Sequence, residues 1–353
     1  MTQAGRANNL TPFPCDDNVT LITTLFMKTS DHTPPTRHGF VGRLFLPLLT
    51  ALSVAALGLT AVCADETAPA PASDGLSVVT WNIEWYPGKK NFARGEEMRE
   101  HAEIVQAELK RINPDIFLAQ EMRDWDSFAR LTDVVPGLRP AVVSAFTSRR
   151  TGQYWRQQLG IASKLPVMAA WSERWQMQDD IQPPRGFASA LVRLPGPGMR
   201  YLLVYSLHLK SNLSRTEEEA QRNYVERDES IRQVLQHIRE MKENAFQDNI
   251  VGVIVAGDLN TNQDGQFDDN VTKMLEEAGF HQAWGKMPKE ERATWRGSDR
   301  FEPTTFDHIF TKGLGSPQAE MLTVPDETSD HWPVRVIISA EDLAQAKPLV
   351  ITE

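Results

Sequence analysis

The sequence predicts an α/β fold, α+β in its later part, in which mixed sheets pack as a sandwich. Runs of apolar and β-branched residues of strand length recur over residues 76–338. Helical periodicity separates the early strands, whereas the later strands follow one another without helices between them. This change of order favours a sandwich of mixed sheets over a doubly wound parallel sheet.

Composition sets wide limits on function. The chain has 353 residues, of which 41% are hydrophobic and 24% charged, as in a globular protein. The formal net charge of −10 argues weakly against a high-affinity, non-catalytic nucleic-acid binder. It does not exclude a nuclease, which needs only a local positive site and a metal. Both cysteines, Cys15 and Cys63, precede the main body, so a disulfide framework or thiolate metal site is excluded there.

Residues 1–64 are predicted to be an N-terminal prefix that contains a secretory signal. A basic stretch follows Met27, a candidate true start, and residues 44–62 form an apolar, uncharged run that ends near small residues. A retained membrane anchor is one alternative, since the run is near the minimum spanning length. A lipoprotein at Cys63 is another, which the bulky Val62 fits poorly. Residues 65–75 are predicted to be a Pro/Ala-rich linker.

The folded domain is predicted over residues 76–340, with a C-terminal tail over 341–353. The first helix, over 96–111, has one apolar face and ends before Pro114. A long charged helix over 216–243 buries a stripe that starts at Val225, and a shorter helix lies near 271–278. A tryptophan-rich segment between 163 and 188 remains unassigned. The predicted strands are 76–81, 116–119, 159–163, 188–193, 201–207, one starting at 251, 306–310 and 334–338.

Polar side chains follow the predicted strands where these strands end. The stretch VGVIVAGDLN at 251–260 is a buried strand that ends in Gly257, Asp258 and Asn260. A plain turn is the alternative for these three residues. Similar polar ends recur along the chain, and together they argue for a site, because converging charges are costly unless a cation or an anionic substrate offsets them. Oxygen ligands without cysteine favour Mg²⁺, Mn²⁺ or Ca²⁺ over zinc. The polar strand ends are Asn82 and Glu84, Glu121, His208, Asp258 and Asn260, Asp307, and Asp330 with His331.

Six motifs carry a resemblance to a known family. They are TWNIEW at 80–85, AQEM at 119–122, SLHLKS at 206–211, AGDLN at 256–260, FDHIF at 306–310 and SDHWPV at 329–334. In this order they resemble the endonuclease/exonuclease/phosphatase family, the deoxyribonuclease-I-like superfamily, in an exported bacterial-type member. The resemblance implies a four-layer α/β sandwich, with two packed mixed sheets flanked by helices.

The resemblance also implies metal ligands. Glu121 would be the main ligand, and Glu84 or Asn82 would complete that side. The family often has Asp or Gln near the position of Glu84, so this residue departs from the pattern. Asp330 would bind a second metal or orient His331. The expected ion is Mg²⁺ or Mn²⁺.

Catalytic roles follow from the same resemblance. Asp258 would orient or deprotonate the attacking water, and Asn260 and Asn82 would donate hydrogen bonds to the phosphate. His331 would contact a phosphate oxygen or protonate the leaving oxygen.

Two further assignments come from the resemblance. His208, paired with Asp307, would be a second acid/base histidine, as in the deoxyribonuclease branch. Arg185 would contact the substrate phosphate, with a surface salt bridge as the alternative.

The predicted function is an exported, metal-dependent phosphodiesterase, foremost a nuclease acting on DNA or RNA by in-line attack of water. One alternative is a phosphatase or a sphingomyelinase-like phospholipid phosphodiesterase, which would act on other phosphoesters. Another alternative is a catalytically silent binding protein. The chain is expected to be monomeric, with no stable protein partner. Residues 260–265 resemble an EF-hand start but lack the bidentate Glu, which leaves a looser structural Ca²⁺ near Asp264 and Asp268. Residues predicted either to form a substrate rim or to pack in the core are Tyr154, Trp155 and Trp171, with Arg149, Arg150 and Arg156.

Overall fold

The computed structural model describes residues 75–149, 151–244, 246 and 249–350. The predicted signal and the candidate start at Met27 lie outside this part, as do residues 65–74 of the predicted linker. In the described part, no helix has both the length and the apolar character to cross a membrane.

Twelve strands lie in the described part of the chain. Four of them are buried along their whole length, which explains why their apolar runs could be recognised in the sequence. The strands are β1 Leu76–Tyr86, β2 Ile116–Met122, β3 Arg139–Val143, β4 Gln158–Ser163, β5 Val167–Arg174, β6 Gly186–Arg193, β7 Tyr201–His208, β8 Ile250–Asp258, β9 His281–Gln282, β10 Asp307–Lys312, β11 Ala319–Met321 and β12 Val334–Ile338.

The part of the chain that the structure describes also contains five α-helices and one short 3₁₀ helix. They are α1 Glu96–Ile112, α2 Trp125–Thr132, α3 Glu217–Asn244, α4 Val271–Glu277 and α5 Ala340–Gln345, with the 3₁₀ helix at Lys289–Glu291. The two long helices match the prediction to within a residue or two. Val225 of α3 is 39% exposed, so the predicted buried stripe begins later, at Ile231.

The strands form two mixed six-stranded sheets. The first has the order β11-β12-β1-β2-β4-β3 and the second β5-β6-β7-β8-β10-β9. The pairs β1–β2 and β7–β8 are parallel, and the other pairs are antiparallel. Four of the predicted polar motifs therefore lie at the carboxyl ends of two parallel strand pairs, β1–β2 and β7–β8.

Three apolar clusters define four layers. The central cluster joins the facing sides of the sheets, for example Leu118 of β2 with Val204 of β7. A second cluster packs the other face of the second sheet against α3 and α4, and a third packs the first sheet against α1 and α2. The order is therefore helices, sheet, sheet, helices, which confirms the predicted sandwich.

The strands that the sequence patterns missed lie at sheet edges. Strand β5 is only partly buried, while β9 and β11 are two and three residues long. The predicted tail also belongs to the fold as far as it is described. Helix α5 starts after Ser339, whose side chain accepts a hydrogen bond from the Asp342 N–H, and Leu343 and Leu349 are buried.

Gly257 allows β8 to approach β7 closely. Its φ of 142° lies where side chains are rarely tolerated, and a Cβ there would lie 2.0 Å from the Leu207 carbonyl oxygen. The glycine before Asp258 therefore serves strand packing, and it brings Asp258 beside the end of β7.

Candidate active site

Strand register aligns three of the predicted residues across the second sheet. His208 of β7 pairs in parallel register with Asp258 of β8, and Asp258 lies opposite Asp307 of the antiparallel β10. The final residues of β7 and β8 and the first residue of β10 therefore lie side by side. All three side chains are buried.

The first sheet completes the site from the opposite side. The Asn82 Nδ2 donates to Asp258 Oδ2 at 2.9 Å, which is a direct bond between the two sheets, and lies 3.5 Å from Glu121 Oε1. Deeper in the interface, the Gln120 Nε2 donates to the Ser206 hydroxyl at 3.0 Å. These buried polar bonds join the two sheets behind the site and keep the carboxylates of both at one edge.

A histidine–aspartate pair forms the centre of the site. His331 Nδ1 lies 2.7 Å from Asp307 Oδ2, while its Nε2 lies 3.8 Å from Asp258 Oδ2. The predicted pair of His208 with Asp307 is therefore wrong. His208 instead places its Nε2 3.6 Å from Asp258 Oδ2, and its Nδ1 is buried without a hydrogen-bond partner among the described residues.

Burial and neighbouring charges shift the pKa values of His331, Asp258 and His208 in different directions. Burial alone lowers the pKa of His331, but the Asp307 carboxylate and, further off, Asp258 raise it to about 10. Burial raises the pKa of Asp258 to about 7, against the lowering effect of His331. Burial, with Arg185 and His331 nearby, holds the pKa of His208 well below its ordinary value, so this imidazole is neutral. The site thus combines a carboxylate and an imidazolium that coexist between about pH 7 and pH 10.

Glu84 and Asp330 occupy one flank of the site. The Glu84 carboxylate lies 3.2 Å from Lys89 Nζ and accepts the Asp330 N–H at 3.1 Å. Asp330 Oδ2 accepts the Trp295 indole N–H, so Asp307 rather than Asp330 orients the ring of His331. Burial, followed by the charge of Asp330, raises the pKa of Glu84.

Arg185 and Asn260 share a backbone partner beside His208. The Arg185 guanidinium donates to the carbonyls of His208 and Leu209, and the Asn260 Nδ2 donates to the same Leu209 carbonyl at 3.2 Å. Arg185 also lies close enough to Glu121 and Asp258 for their charges to raise its pKa against burial, which lowers it. The alternative of a surface salt bridge does not describe this environment.

Several site residues have left-handed backbone conformations. The φ angles are 29° at Glu84, 56° at Trp85, 62° at Glu121, 67° at Arg185 and 51° at Asn260. Such conformations cost about 1–3 kcal/mol each in non-glycine residues and persist only when the surrounding structure enforces them. Their concentration at one sheet edge is typical of a functional site.

A protein-family model decides the family. The model of the endonuclease/exonuclease/phosphatase family matches residues 79–331, which is more than half of the chain. The chain belongs to this family. Its members include nucleases, phosphatases and sphingomyelinase-like toxins, so the chain is a member of a phosphoesterase superfamily.

Solved structures agree on the fold of this family. A mannosyl-6-phosphatase from Bacteroides thetaiotaomicron is 18% identical with a TM-score of 0.54, covering 74% of this chain and 98% of that one. The beta toxin of Staphylococcus aureus is 18% identical with a TM-score of 0.52, covering 74% and 99%. Truncated TDP2 of Caenorhabditis elegans is 18% identical with a TM-score of 0.50, covering 75% and 97%. At these identities the likeness shows the fold alone. No curated protein matches the sequence significantly.

Enzymes of this family generally depend on a divalent metal, and Glu121 fits such an ion. Its buried carboxylate accepts hydrogen bonds from the Trp85 N–H and the Gln157 side chain, both at 2.9 Å. The nearest ring nitrogen, that of the neutral His208, is 3.9 Å away, and burial raises the pKa of Glu121. In the described residues no three His, Cys, Asp or Glu side chains form a metal cage. An open site with one carboxylate suits Mg²⁺, which retains waters and takes substrate phosphate oxygens as ligands.

Two other predicted metal ligands, Asn82 and Asp264, already use their polar atoms in contacts with the protein. Asn82 turns its Nδ2 toward the carboxylates and its Oδ1 toward the Glu84 N–H, the arrangement of a hydrogen-bond donor to the site. At the proposed calcium position, Asp264 is 2.5 Å from the Arg292 guanidinium, which already neutralises its charge. Calcium ligation by Asp264 would have to displace this ion pair.

Sequence patterns missed four supporting residues. Gln157 holds Glu121, and the Thr294 hydroxyl accepts the N–H of Asp307 at 2.9 Å. Trp295 binds Asp330. His101 of α1 accepts the Gly88 N–H and contacts the Thr328 carbonyl, so it joins the loop after β1 to the loop before His331. These residues lie far along the chain from their partners, and no local pattern distinguishes them from ordinary polar residues.

Proposed function

We propose that this protein is an exported, divalent-metal-dependent nuclease that hydrolyses phosphodiester bonds in DNA or RNA. The observation that carries the proposal is the cluster of Asp258, Asp307 and His331, beside Glu121. It supplies a carboxylate whose pKa is about 7 and an imidazolium whose pKa is about 10 at the same edge. A carboxylate base and a cationic acid that coexist at neutral pH suit acid–base hydrolysis of a phosphoester.

In this mechanism Asp258 Oδ2 takes a proton from the attacking water as the oxygen bonds to phosphorus. The Nε2–H of His331 protonates the oxygen that leaves, and Asp307 keeps the imidazole charged and oriented. Asn82 and Asn260 are placed to donate hydrogen bonds as charge builds on the phosphoryl oxygens. A metal held by Glu121, Mg²⁺ or Mn²⁺, supplies charge neutralisation at those oxygens.

The neutral imidazole of His208 and the guanidinium of Arg185 lie beside the carboxylates of the site. Arg185 offers a guanidinium near both carboxylates, and His208 offers an Nε2 beside Asp258. A second imidazole supports a nuclease over a simple phosphatase. A phosphatase or a sphingomyelinase-like phospholipid phosphodiesterase remains the alternative on this fold, and the named relatives include a sugar phosphatase and a toxin.

Export rests on the predicted signal in residues 1–64, and the protein is proposed to act as a monomer. Sequencing the N-terminus of the protein recovered from outside the cytoplasm tests the proposed export. A mature protein that starts before residue 44 would contradict cleavage of the predicted signal.

A substrate panel tests the nuclease proposal. Purified protein is offered supercoiled plasmid, single-stranded RNA, bis-p-nitrophenyl phosphate, p-nitrophenyl phosphate and sphingomyelin, with Mg²⁺, Mn²⁺, Ca²⁺ or chelator. His331→Ala is the matched inactive variant. Nucleic-acid cleavage that needs both metal and His331 supports the proposal. Activity confined to the monoester or to sphingomyelin would replace it with the alternative.

A further inference from the structure

A positively charged groove lies beside the candidate active site. It has a volume of about 520 Å³ and lies between the start of α1 and the start of α2. Four arginines line it, together with one carboxylate, that of Asp124. The arginines are Arg94, Arg123, Arg130 and Arg156.

Little of this charge is neutralised locally. Asp124 is 3.7 Å from Arg123, but it also caps α2 by accepting the Ser127 N–H. Arg94 and Arg130 form no ion pair with any described residue, and both are exposed. In a chain whose net charge is −10, four guanidinium groups in one groove are a local reversal of sign, which favours an anionic ligand.

Residues that line the groove are bonded or adjacent in sequence to residues that hold Glu121. A smaller recess shares Arg123 and Arg156 with the groove and is also lined by Trp85. The Trp85 N–H donates to Glu121 Oε2, Arg123 is two residues beyond Glu121, and Arg156 precedes Gln157, which donates to Glu121 Oε1. Since two residues span at most about 7 Å, the backbone of Arg123 lies within about 7 Å of that of Glu121.

Exposed aromatic side chains lie on the segments that line the groove. Phe92 is 75% exposed between two residues of the recess, and Trp125 is 48% exposed next to Asp124. Tyr154 is 45% exposed, and the charge of Asp124 contributes to raising its pKa after burial, so it lies on the same face. Exposed aromatic rings on the segments that line a positively charged groove suit stacking against unpaired bases.

This set differs from the rim that the sequence predicted. Trp155 and Trp171 pack against the central and second apolar clusters, and the Arg149 guanidinium donates to the Trp175 carbonyl. Arg150 lies outside the described residues. Only Tyr154 and Arg156 of the predicted rim lie at the groove.

We propose that this groove binds single-stranded nucleic acid next to the scissile phosphodiester. The arginines contact the backbone phosphates, and Phe92, Trp125 and Tyr154 stack on unpaired bases. A duplex cannot use the rings in this way, because its bases already stack on one another. The inference rests on the proposed nuclease function and adds a strand preference to it.

Two double variants of the full chain test the groove. Arg94→Ala/Arg130→Ala removes charge, and Phe92→Ala/Trp125→Ala removes stacking. Arg193→Ala is the matched control, since Arg193 is exposed at the opposite end of β6 from Arg185. Phe92→Tyr/Trp125→Phe retains the rings. The substrates are a single-stranded oligonucleotide, the same sequence as duplex, and bis-p-nitrophenyl phosphate, all with Mg²⁺.

The wild type is expected to cleave the single strand faster than the duplex. Each alanine pair raises KM for the single strand by about tenfold or more and leaves the small ester unchanged. The charge variant also lowers the slope of log affinity against log salt by about 1.4, at about 0.7 for each lost phosphate contact. The two control variants behave as wild type.

The outcomes separate this inference from the nuclease proposal. If the wild type prefers the duplex, or if the alanine variants cleave the single strand as the wild type does, the proposed role of the groove is refuted while the nuclease function stands. An equal loss on the small ester overturns it also, because that ester does not reach the groove. If wild type cleaves neither oligonucleotide, the nuclease function fails and the groove proposal fails with it.

Discussion

Replacing Asp307 with asparagine tests the charge on His331 directly. The structure places Asp307 Oδ2 2.7 Å from His331 Nδ1, and this carboxylate is the main cause that raises the pKa of His331 to about 10 against burial. Asparagine keeps the shape of the side chain and removes its charge. The pKa of His331 should then fall toward its ordinary value of about 6.5, because burial disfavours the cation, while Asp258 and Asp330 still raise it.

The expected loss follows from the protonated fraction. At about pH 8 nearly every His331 is an imidazolium in the wild type, whereas with a pKa of about 6.5 only about 3% would be. If His331 is the general acid, kcat falls by up to about 30-fold near pH 8. The deficit narrows toward about pH 6, where most of the imidazole is again protonated.

The assay compares two phosphodiesters across this pH range with Mg²⁺ at saturation. An oligonucleotide expels a sugar alkoxide, which needs a proton, whereas bis-p-nitrophenyl phosphate expels a stable phenolate, which does not. Asp307→Asn should therefore impair the oligonucleotide far more than the nitrophenyl ester. Asp330→Asn is the matched control, since Asp330 binds Trp295 instead of the imidazole, and it should lose much less.

A loss that is equal for both esters, or constant with pH, would refute the general-acid role and favour a phosphate contact for His331. A larger loss in Asp330→Asn than in Asp307→Asn would refute the pairing itself.

Three further predictions concern the base, the metal and the fold. Wild-type kcat should rise with pH through about 7 as Asp258 loses its proton and fall above about 10 as His331 loses its own; a pH-rate profile without the lower limb would oppose Asp258 as base. Glu121→Gln should abolish metal-dependent turnover and the rise in thermal midpoint on adding Mg²⁺, while the metal-free midpoint stays within a few degrees of wild type; a retained Mg²⁺ shift would remove Glu121 from the metal site. Gly257→Ala should destabilise the fold by at least about 2 kcal/mol, because its Cβ would meet the Leu207 carbonyl at a strained φ; denaturant unfolding checks this, and a stability equal to wild type would contradict the close strand approach.

The central strands could be predicted because both of their faces are buried. β7 and β8 have buried residues along their whole length, so their sequences are continuous apolar runs. β5, in contrast, has no fully buried residue, and its partly buried Trp171 packs against an apolar cluster that includes residues of α3. Such a strand is defined by its neighbours, and sequence periodicity alone does not identify it.

The members of the site could be predicted, but their pairing could not. His208 and Asp258 end two parallel strands, and Asp307 begins the antiparallel strand beside them, so these three residues lie near one another at one edge. Which histidine binds Asp307 depends on where the loop before β12 crosses that edge. The Ser329 hydroxyl donates to the Asn82 carbonyl at 2.7 Å, which anchors this loop and brings His331 onto Asp307. This contact joins residues 247 positions apart, beyond the reach of any local pattern.

The distribution of charge explains why an anionic substrate would need both a metal and the groove. Three buried carboxylates, those of Glu121, Asp258 and Asp307, face two cations, Arg185 and the His331 imidazolium. The edge alone therefore keeps a negative charge that would repel a phosphodiester. A divalent cation at Glu121 would reverse that sign where the reacting phosphate is proposed to lie, and the nearby arginines would extend the positive region along a polymeric substrate. Burial is the main cause that raises the pKa values of Glu121 and Asp258, and the charges of Asp330 and Asp307, respectively, raise them further.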